Sequence, residues 1–227
     1  MAVTFDQIVP WGRSRREYEL MFSLWLEDLS RGVLDCGGGP ASFTAEIAAA
    51  GLCGVAVDPI YAFSGLEIQK RFEQIAPSMI AQVRATPEDW FWSYHRDPDG
   101  LYAHRRSALE GFLADYGEGL QAGRYVVGEL PSLPFAAGSF GLALCSHLLF
   151  LYSDLLNEDF HIRAVAELCR VAAEVRIFPL LTLAREPSPY LAAVRSFLCS
   201  QGWASEVVRV NFEFQRGGKE MLRIFRP

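Results

Sequence analysis

An aspartate, a spacer and three consecutive glycines, Asp35-Cys36-Gly37-Gly38-Gly39, follow a short apolar run, and a second aspartate, Asp58, stands 21 residues after Gly37. Glycines let a backbone turn sharply and pass close to a ligand. Pro40 suits the first turn of a helix, where its missing N–H has no partner, and the free N–H groups of such a turn would face the gap. Asp58, followed by Pro59, closes a β-branched run, GVAVD. At a strand end its carboxylate can accept hydrogen bonds from both ribose hydroxyls of an adenosine. A glycine turn and an acid at the ends of adjacent predicted strands point to an adenosine-containing ligand. The bland reading is a tight packing turn beside an exposed strand-end aspartate.

Asp35 bears on which adenosine. A pyrophosphate here would meet negative charge where it needs positive potential, whereas the ammonium and sulfonium of S-adenosylmethionine would be attracted. Positions 37, 39 and 42 read Gly, Gly, Ser, so the third glycine of the dinucleotide pattern is missing. These features favour a methyl donor over NAD. A nicotinamide-dependent oxidoreductase remains an alternative, as does a non-catalytic protein that keeps the fold as a binding or regulatory module.

The elements that must position these residues follow from periodicity. Tyr18, Met21, Phe22, Trp25 and Leu29 share one face of a helix expected over 13 to about 29. A strand runs into the glycine turn at 32–39, a helix from Pro40 stops at Gly51, and a second strand covers 54–58, the opening of a doubly wound α/β sheet. Residues 59–123 exceed what a crossover needs and read as a helical insertion within a single domain. Ser64 and Glu67 have capping-box spacing, followed by Phe72, Ile75, Met79 and Val83. Thr86-Pro87-Glu88-Asp89 signals a second helix start. Leu109, Phe112, Leu113 and Tyr116 mark a third helical face, closed by glycines at 117, 119 and 123. Strands are expected at 124–128, 140–146 and 173–183, with helices at about 157–172 and from Ser188 to about Gly202. Strands at 205–212 and 219–225 close the chain as an antiparallel hairpin.

At this point the chain resembles the class I S-adenosylmethionine-dependent methyltransferases, with a look closest to uncharacterised bacterial members. VLDCGGGPA is similar to the family's first motif, with Asp35, Gly37, Gly39 and Ala41 in the pattern positions and Gly38 in a variable one. The resemblance implies a Rossmann-like seven-stranded sheet of order 3-2-1-4-5-7-6, last strand antiparallel. It implies a cofactor site made of Asp35, Cys36, Gly37, Gly38, Gly39, Asp58, Pro59, Glu129, Leu130, Cys145, Ser146 and Tyr18. Asp58 would hold the ribose, and Glu129, four before Leu133-Pro134-Phe135, would sit at the adenine amino group. The family usually has Phe-Asp where this chain has Phe140-Gly141, and the insertion is a larger departure.

Methyl transfer from a sulfonium is an in-line displacement, so positioning and desolvation supply much of its rate. A base is needed only for a protonated acceptor. His147 follows Cys145-Ser146, where the resemblance implies the methyl group would lie, and can take such a proton; a histidine hydrogen-bonded at a helix start is the plain alternative. Tyr152 is a second catalytic candidate. Arg13 and Tyr18 could close over the methionine end of the donor, although Tyr18 reads first as a core residue. CSHL replaces the Asn/Asp-Pro-Pro-aromatic motif of nucleobase and glutamine methylation. Net charge is −6, so nucleic acid is not the expected partner, and an apolar or neutral small molecule is. The clusters Arg13, Arg15, Arg16 and His104, Arg105, Arg106 read as solvated helix faces. Five scattered cysteines without a CxxC pair read as buried small hydrophobes, not metal ligands or disulfides. No apolar run reaches membrane-span length, and the N-terminus lacks a signal-peptide pattern. A cytosolic enzyme is expected.

Overall fold

Ser14 starts the first helix by a reciprocal cap: its hydroxyl accepts from the Glu17 N–H while the Glu17 carboxylate accepts from the Ser14 N–H. The computed structural model describes residues 11–227, so the reading of the first ten residues as lacking a leader lies outside the described residues. Helix α1 (Arg15–Phe22) ends at Ser23, in the left-handed region at φ 49°, and a single turn, α2 (Leu26–Leu29), follows. The continuous helix expected over 13–29 is therefore broken. Trp25, expected on its core face, is 73% exposed, while Tyr18, Met21 and Phe22 are buried.

Strand β1 (Val33–Cys36) is buried along its length. Helix α3 (Phe43–Ala49) starts three residues after Pro40 and is two turns long, so it presents no helix start at the glycine turn as expected. Gly51, at φ 75°, lies just past its end. Strand β2 (Gly54–Val57) leads to Asp58.

The insertion begins with α4 (Gly65–Ala85), capped by Ser64 and Glu67 as expected. Its buried stripe is Ile68, Phe72, Ala76, Ile80 and Val83; Ile75 and Met79, placed on the core face by spacing alone, are half-buried. Thr86–Asp89 makes only a 3-10 turn, not a helix. Helix α5 (Pro98–Gln121) is capped by the Asp97 carboxylate at the Gly100 N–H, 2.7 Å. It continues through Gly117 and Gly119 instead of ending there. Gly119 is required because a Cβ would overlap the Tyr125 ring.

Strands β3 (Tyr125–Val126) and β4 (Leu142–Ser146) follow, then α6 (Glu158–Val171), β5 (Glu174–Phe178), α7 (Leu191–Ser200), β6 (Ala204–Arg209) and β7 (Glu220–Phe225). Strand β5 is shorter than its apolar run, because Pro179 has no N–H for the ladder. The sheet order is β3-β2-β1-β4-β5-β7-β6, with β7 antiparallel to both neighbours, as the resemblance implied. Alternate residues of β4 face opposite layers: Leu142 and Leu144 pack with Tyr18, Phe43 and Ile47 of α1 and α3, whereas Ala143 and Cys145 pack with α6 and α7. Helices α4 and α5 pack on each other and α5 on α3, with Phe72, Phe112 and Tyr116 enclosing Tyr61 and Tyr125.

At the amino ends of the strands the Glu174 carboxylate accepts from Arg31, Arg176 and Arg223, each at its closest 2.8–3.0 Å, and Arg176 also pairs with Asp28 at 2.6 Å. Burial alone would raise the Glu174 carboxyl, but the three guanidinium groups hold it at about 2. Gly141, where the family has aspartate, donates its N–H to the Arg31 carbonyl at 3.1 Å, and a Cβ there would overlap that carbonyl. The cysteines are all free; Cys36 and Cys145 are buried, but Cys53 and Cys199 are exposed, contrary to the expectation for buried small hydrophobes. Among the described residues no helix is long and apolar enough to cross a membrane.

Candidate active site

Strand β1 pairs with β2 on one side and β4 on the other, so chain connections diverge there and leave a crevice over the carboxyl ends of the strands. A cavity of about 730 Å³ occupies it. Its floor is the glycine turn. Gly37 and Gly39 have φ of 71° and 55°, a region only glycine adopts freely, and the Gly37 N–H bonds the Val57 carbonyl at 2.9 Å. A Cβ on Gly38 would lie 2.5 Å from Asp35 Oδ2.

Asp58 leaves β2 beside this turn. Its Oδ2 accepts from the Gly39 N–H at 2.9 Å and its Oδ1 from the Ile60 N–H at 2.8 Å. The carboxylate thus holds the glycine turn in place while lining the cavity. Burial pushes its carboxyl up to about 6 against the lowering effect of those two N–H groups, with the Glu129 charge adding to the rise. Asp35, 1% exposed, lies one backbone layer below, under Gly38. Both its oxygens accept from the Tyr18 hydroxyl, at 2.9 and 3.0 Å. Burial pushes the Asp35 carboxyl up to about 7, opposed by the Tyr18 hydrogen bond and reinforced by the Asp58 charge. Two desolvated acids, Asp35 raised further by the Asp58 charge and Asp58 by that of Glu129, favour a cation beside them.

The structure brings together nearly all the residues expected at the site. Tyr18, Cys36, Gly37, Gly38, Gly39 and Asp58 line the cavity, as do Pro59, Glu129, Leu130, Ser146, His147 and Tyr152. Asp35 and Cys145 do not: both are buried beneath it. Burial pushes the Cys145 thiol up to about 12, so it stays protonated and apolar.

His147 caps the end of β4 at φ 53°. Its N–H bonds the Phe178 carbonyl at 2.7 Å, its Nδ1 lies 2.9 Å from Ser146 Oγ, and its ring stands edge-on to Phe178. No helix starts there; α6 begins eleven residues later, so the plain alternative of a helix-start histidine does not apply. Burial, followed by the charges of Arg13 and Arg105, lowers the imidazole well below its usual value, and it is neutral at physiological pH.

The arginines are where sequence reasoning went wrong. Arg105, expected on a solvated face, is 2% exposed and pairs with the fully buried Glu17 at 2.8 Å. Arg105 also lies 3.5 Å from His95 Nε2, and His95 Nδ1 lies 2.8 Å from His104 Nδ1. Burial and the Arg105 charge press His95 down to about 2, so it is neutral. Arg13 lines the cavity too; Arg16, His104 and Arg106 are the exposed members of the two clusters. Sequence reasoning also missed an aromatic wall of Trp11, Trp90 and Phe214, which lines the cavity together with Val83 and Leu101. The stacked pair Trp90–Phe214, centroids 4.7 Å apart, joins residues 124 positions apart, beyond any local signal.

The sheet order and the crevice over β1, β2 and β4 define the fold of the class I S-adenosylmethionine-dependent methyltransferases. An O-methyltransferase from neocarzinostatin biosynthesis, solved with S-adenosyl-L-homocysteine and 1,4-dihydroxy-2-naphthoic acid, aligns with 94% of the chain at a TM-score of 0.50 and 14% identity. A mitomycin 7-O-methyltransferase does so over 94% at 0.50 and 13%. The chain spans 54% of each of those proteins. In sequence, it is 30% identical over 216 residues to an uncharacterised protein of Methanocaldococcus jannaschii, covering 95% of both, and it belongs to that protein's family. That relative is archaeal, where the resemblance had pointed to bacterial proteins. No protein-family model matches the chain.

Proposed function

We propose that the chain is an S-adenosylmethionine-dependent methyltransferase acting on a small molecule in the cytosol, with 59–123 as a helical insertion in one methyltransferase-like domain. The observation that carries this reading is Asp58, anchored to the glycine turn of the neighbouring strand and facing the cavity at the switch point of the sheet. The donor set fits: a glycine floor without room for a side chain, two carboxyls raised by burial and by neighbouring acids, and Glu129 and Leu130 at the expected adenine end.

Bound there, S-adenosylmethionine would supply an electrophilic methyl group on a sulfonium sulfur. In this reading Asp58 accepts hydrogen bonds from the ribose hydroxyls, and Asp35, steered by Tyr18, contributes negative potential from below the floor. His147 and Tyr152 face the reacting end. The His147 Nδ1 lies 2.9 Å from Ser146 Oγ, and its ring would pass on a proton released by an acceptor hydroxyl only transiently, as a weak base, because burial lowers the imidazole. Being neutral, it does not repel the sulfonium.

Titration calorimetry with S-adenosylmethionine, S-adenosylhomocysteine and NAD tests the reading. Binding of the first two without NAD is the expected result. NAD binding alone would replace the reading with a redox one, and silence from all three would leave a non-catalytic module.

A further inference from the structure

The cavity is divided in character. Its acids Asp58 and Glu129 lie at the strand ends, and Glu67 is engaged as the cap of α4. An apolar wall, Trp11, Val83, Trp90, Leu101 and Phe214, comes from the N-terminal segment, the insertion and the β6–β7 loop. The Trp90 Nε1–H is already donated to Thr86 Oγ1 at 3.1 Å, so Trp90 offers a ring face and not a donor. Trp11 Nε1 and Arg13 Nε are buried donors without a hydrogen-bond partner among the described residues.

Arg13 differs from Arg105 beside it. Arg105 is neutralised by Glu17. Arg13 donates Nη1 to the Trp11 carbonyl at 3.0 Å and has no carboxylate among the described residues within ion-pair distance. Burial and the Arg105 charge bring its guanidinium down to about 10, so it remains charged at neutral pH. A half-buried cation whose Nε is sequestered without a partner, and whose nearest anion, Glu17, is already paired with Arg105, has room for a further anion, and the aromatic wall beside it favours a planar ring.

We propose that the methyl acceptor is an aromatic carboxylate, its ring against Trp90, Phe214 and Trp11 and its anionic group on Arg13. This rests on the methyltransferase reading of the same cavity and replaces the neutral acceptor expected from composition. Guanidinium and carboxylate match in a two-pronged geometry that an amide cannot reproduce.

The test is a titration of protein saturated with S-adenosylhomocysteine, using quinoline-2-carboxylate and quinoline-2-carboxamide and read by calorimetry and tryptophan fluorescence. The acid is expected to bind about tenfold or more tighter than the amide, the range for a hydrogen bond to a charged group. Arg13→Gln is expected to erase the preference, Arg13→Lys to keep part of it, and Trp90→Leu to weaken both ligands; melting curves establish that each variant folds. Equal binding of acid and amide overturns the proposal. So does an Arg13→Gln variant that loses S-adenosylhomocysteine while keeping the acid preference, which would assign Arg13 to the donor's own carboxylate. If S-adenosylhomocysteine does not bind, the donor reading fails, and the same titration of the free protein decides the acid preference by itself.

Discussion

The two ends of the sheet treat buried carboxylates in opposite ways. At the amino ends, Glu174 sits among Arg31, Arg176 and Arg223 and is held at about 2. At the carboxyl ends, Asp35 and Asp58 have only hydroxyl and backbone N–H donors and are raised to about 7 and about 6. One end is electrostatically complete and serves the fold. At the other, no guanidinium pairs with Asp35 or Asp58, and the more distant Arg13 charge only partly offsets the burial of Asp35, which leaves these two carboxyls able to respond to a cation from outside.

The largest expected effect lies at the complete end. Glu174→Ala leaves three arginines without their shared acceptor, and we expect a loss of about 3 kcal/mol in denaturant unfolding, as for breaking a buried pair. Native stability there would make the network ornamental and erase the contrast. At the open end, Asp58→Ala should leave the fold standing but weaken S-adenosylhomocysteine binding by about 1.5–3 kcal/mol, for a lost charged acceptor; unchanged calorimetric affinity would move the ribose elsewhere. His147→Ala should keep that affinity and slow turnover by about a hundredfold if the imidazole takes the acceptor's proton, and undiminished turnover would reduce His147 to a structural residue.

Acidity separates the ends by sign. Glu174 is depressed below its ordinary 4.5, so its stabilisation is present above about pH 4.5 and lost as pH falls toward 2. Asp35 and Asp58 are raised above 3.8, so the folded state binds the extra protons and stability falls as pH rises through their range up to about 7. A cationic donor should offset that fall, so its gain in melting temperature should be larger at about pH 8 than at about pH 5. An equal gain at both would show that Asp35 and Asp58 do not sense the donor. The smallest effect is expected for Glu206→Ala, which removes the outer, half-exposed partner of Arg223 and should cost between about 0 and 1 kcal/mol.

What the sequence shows of this site is what lies close together along the chain. Asp35, the glycines and Asp58 are legible because a strand end, a turn and the next strand end occupy 24 consecutive positions. The terminal hairpin is legible for the same reason. Arg105 is not: its apolar neighbours on α5 say nothing of Glu17, 88 residues earlier, which makes its burial tolerable. Trp25 misled because the helical repeat continues in the letters across Ser23, where the backbone turns left-handed. The family aspartate missing at Gly141 is explained only by the Arg31 carbonyl that crosses the same space.

The loop after α4 reaches from the β3 side of the sheet to the hairpin on the far edge. There the Phe91 N–H bonds the Phe214 carbonyl at 2.7 Å, the Arg216 N–H bonds the Asp89 carbonyl at 2.9 Å, and the Arg216 guanidinium holds the Glu88 and Trp90 carbonyls. This strap spans the crevice like the string of a bow. Parting Trp90 from Phe214 means breaking those bonds, so any opening on that side of the cavity would first have to undo the strap. Deuterium uptake at Phe91 and Arg216 would serve as its clock.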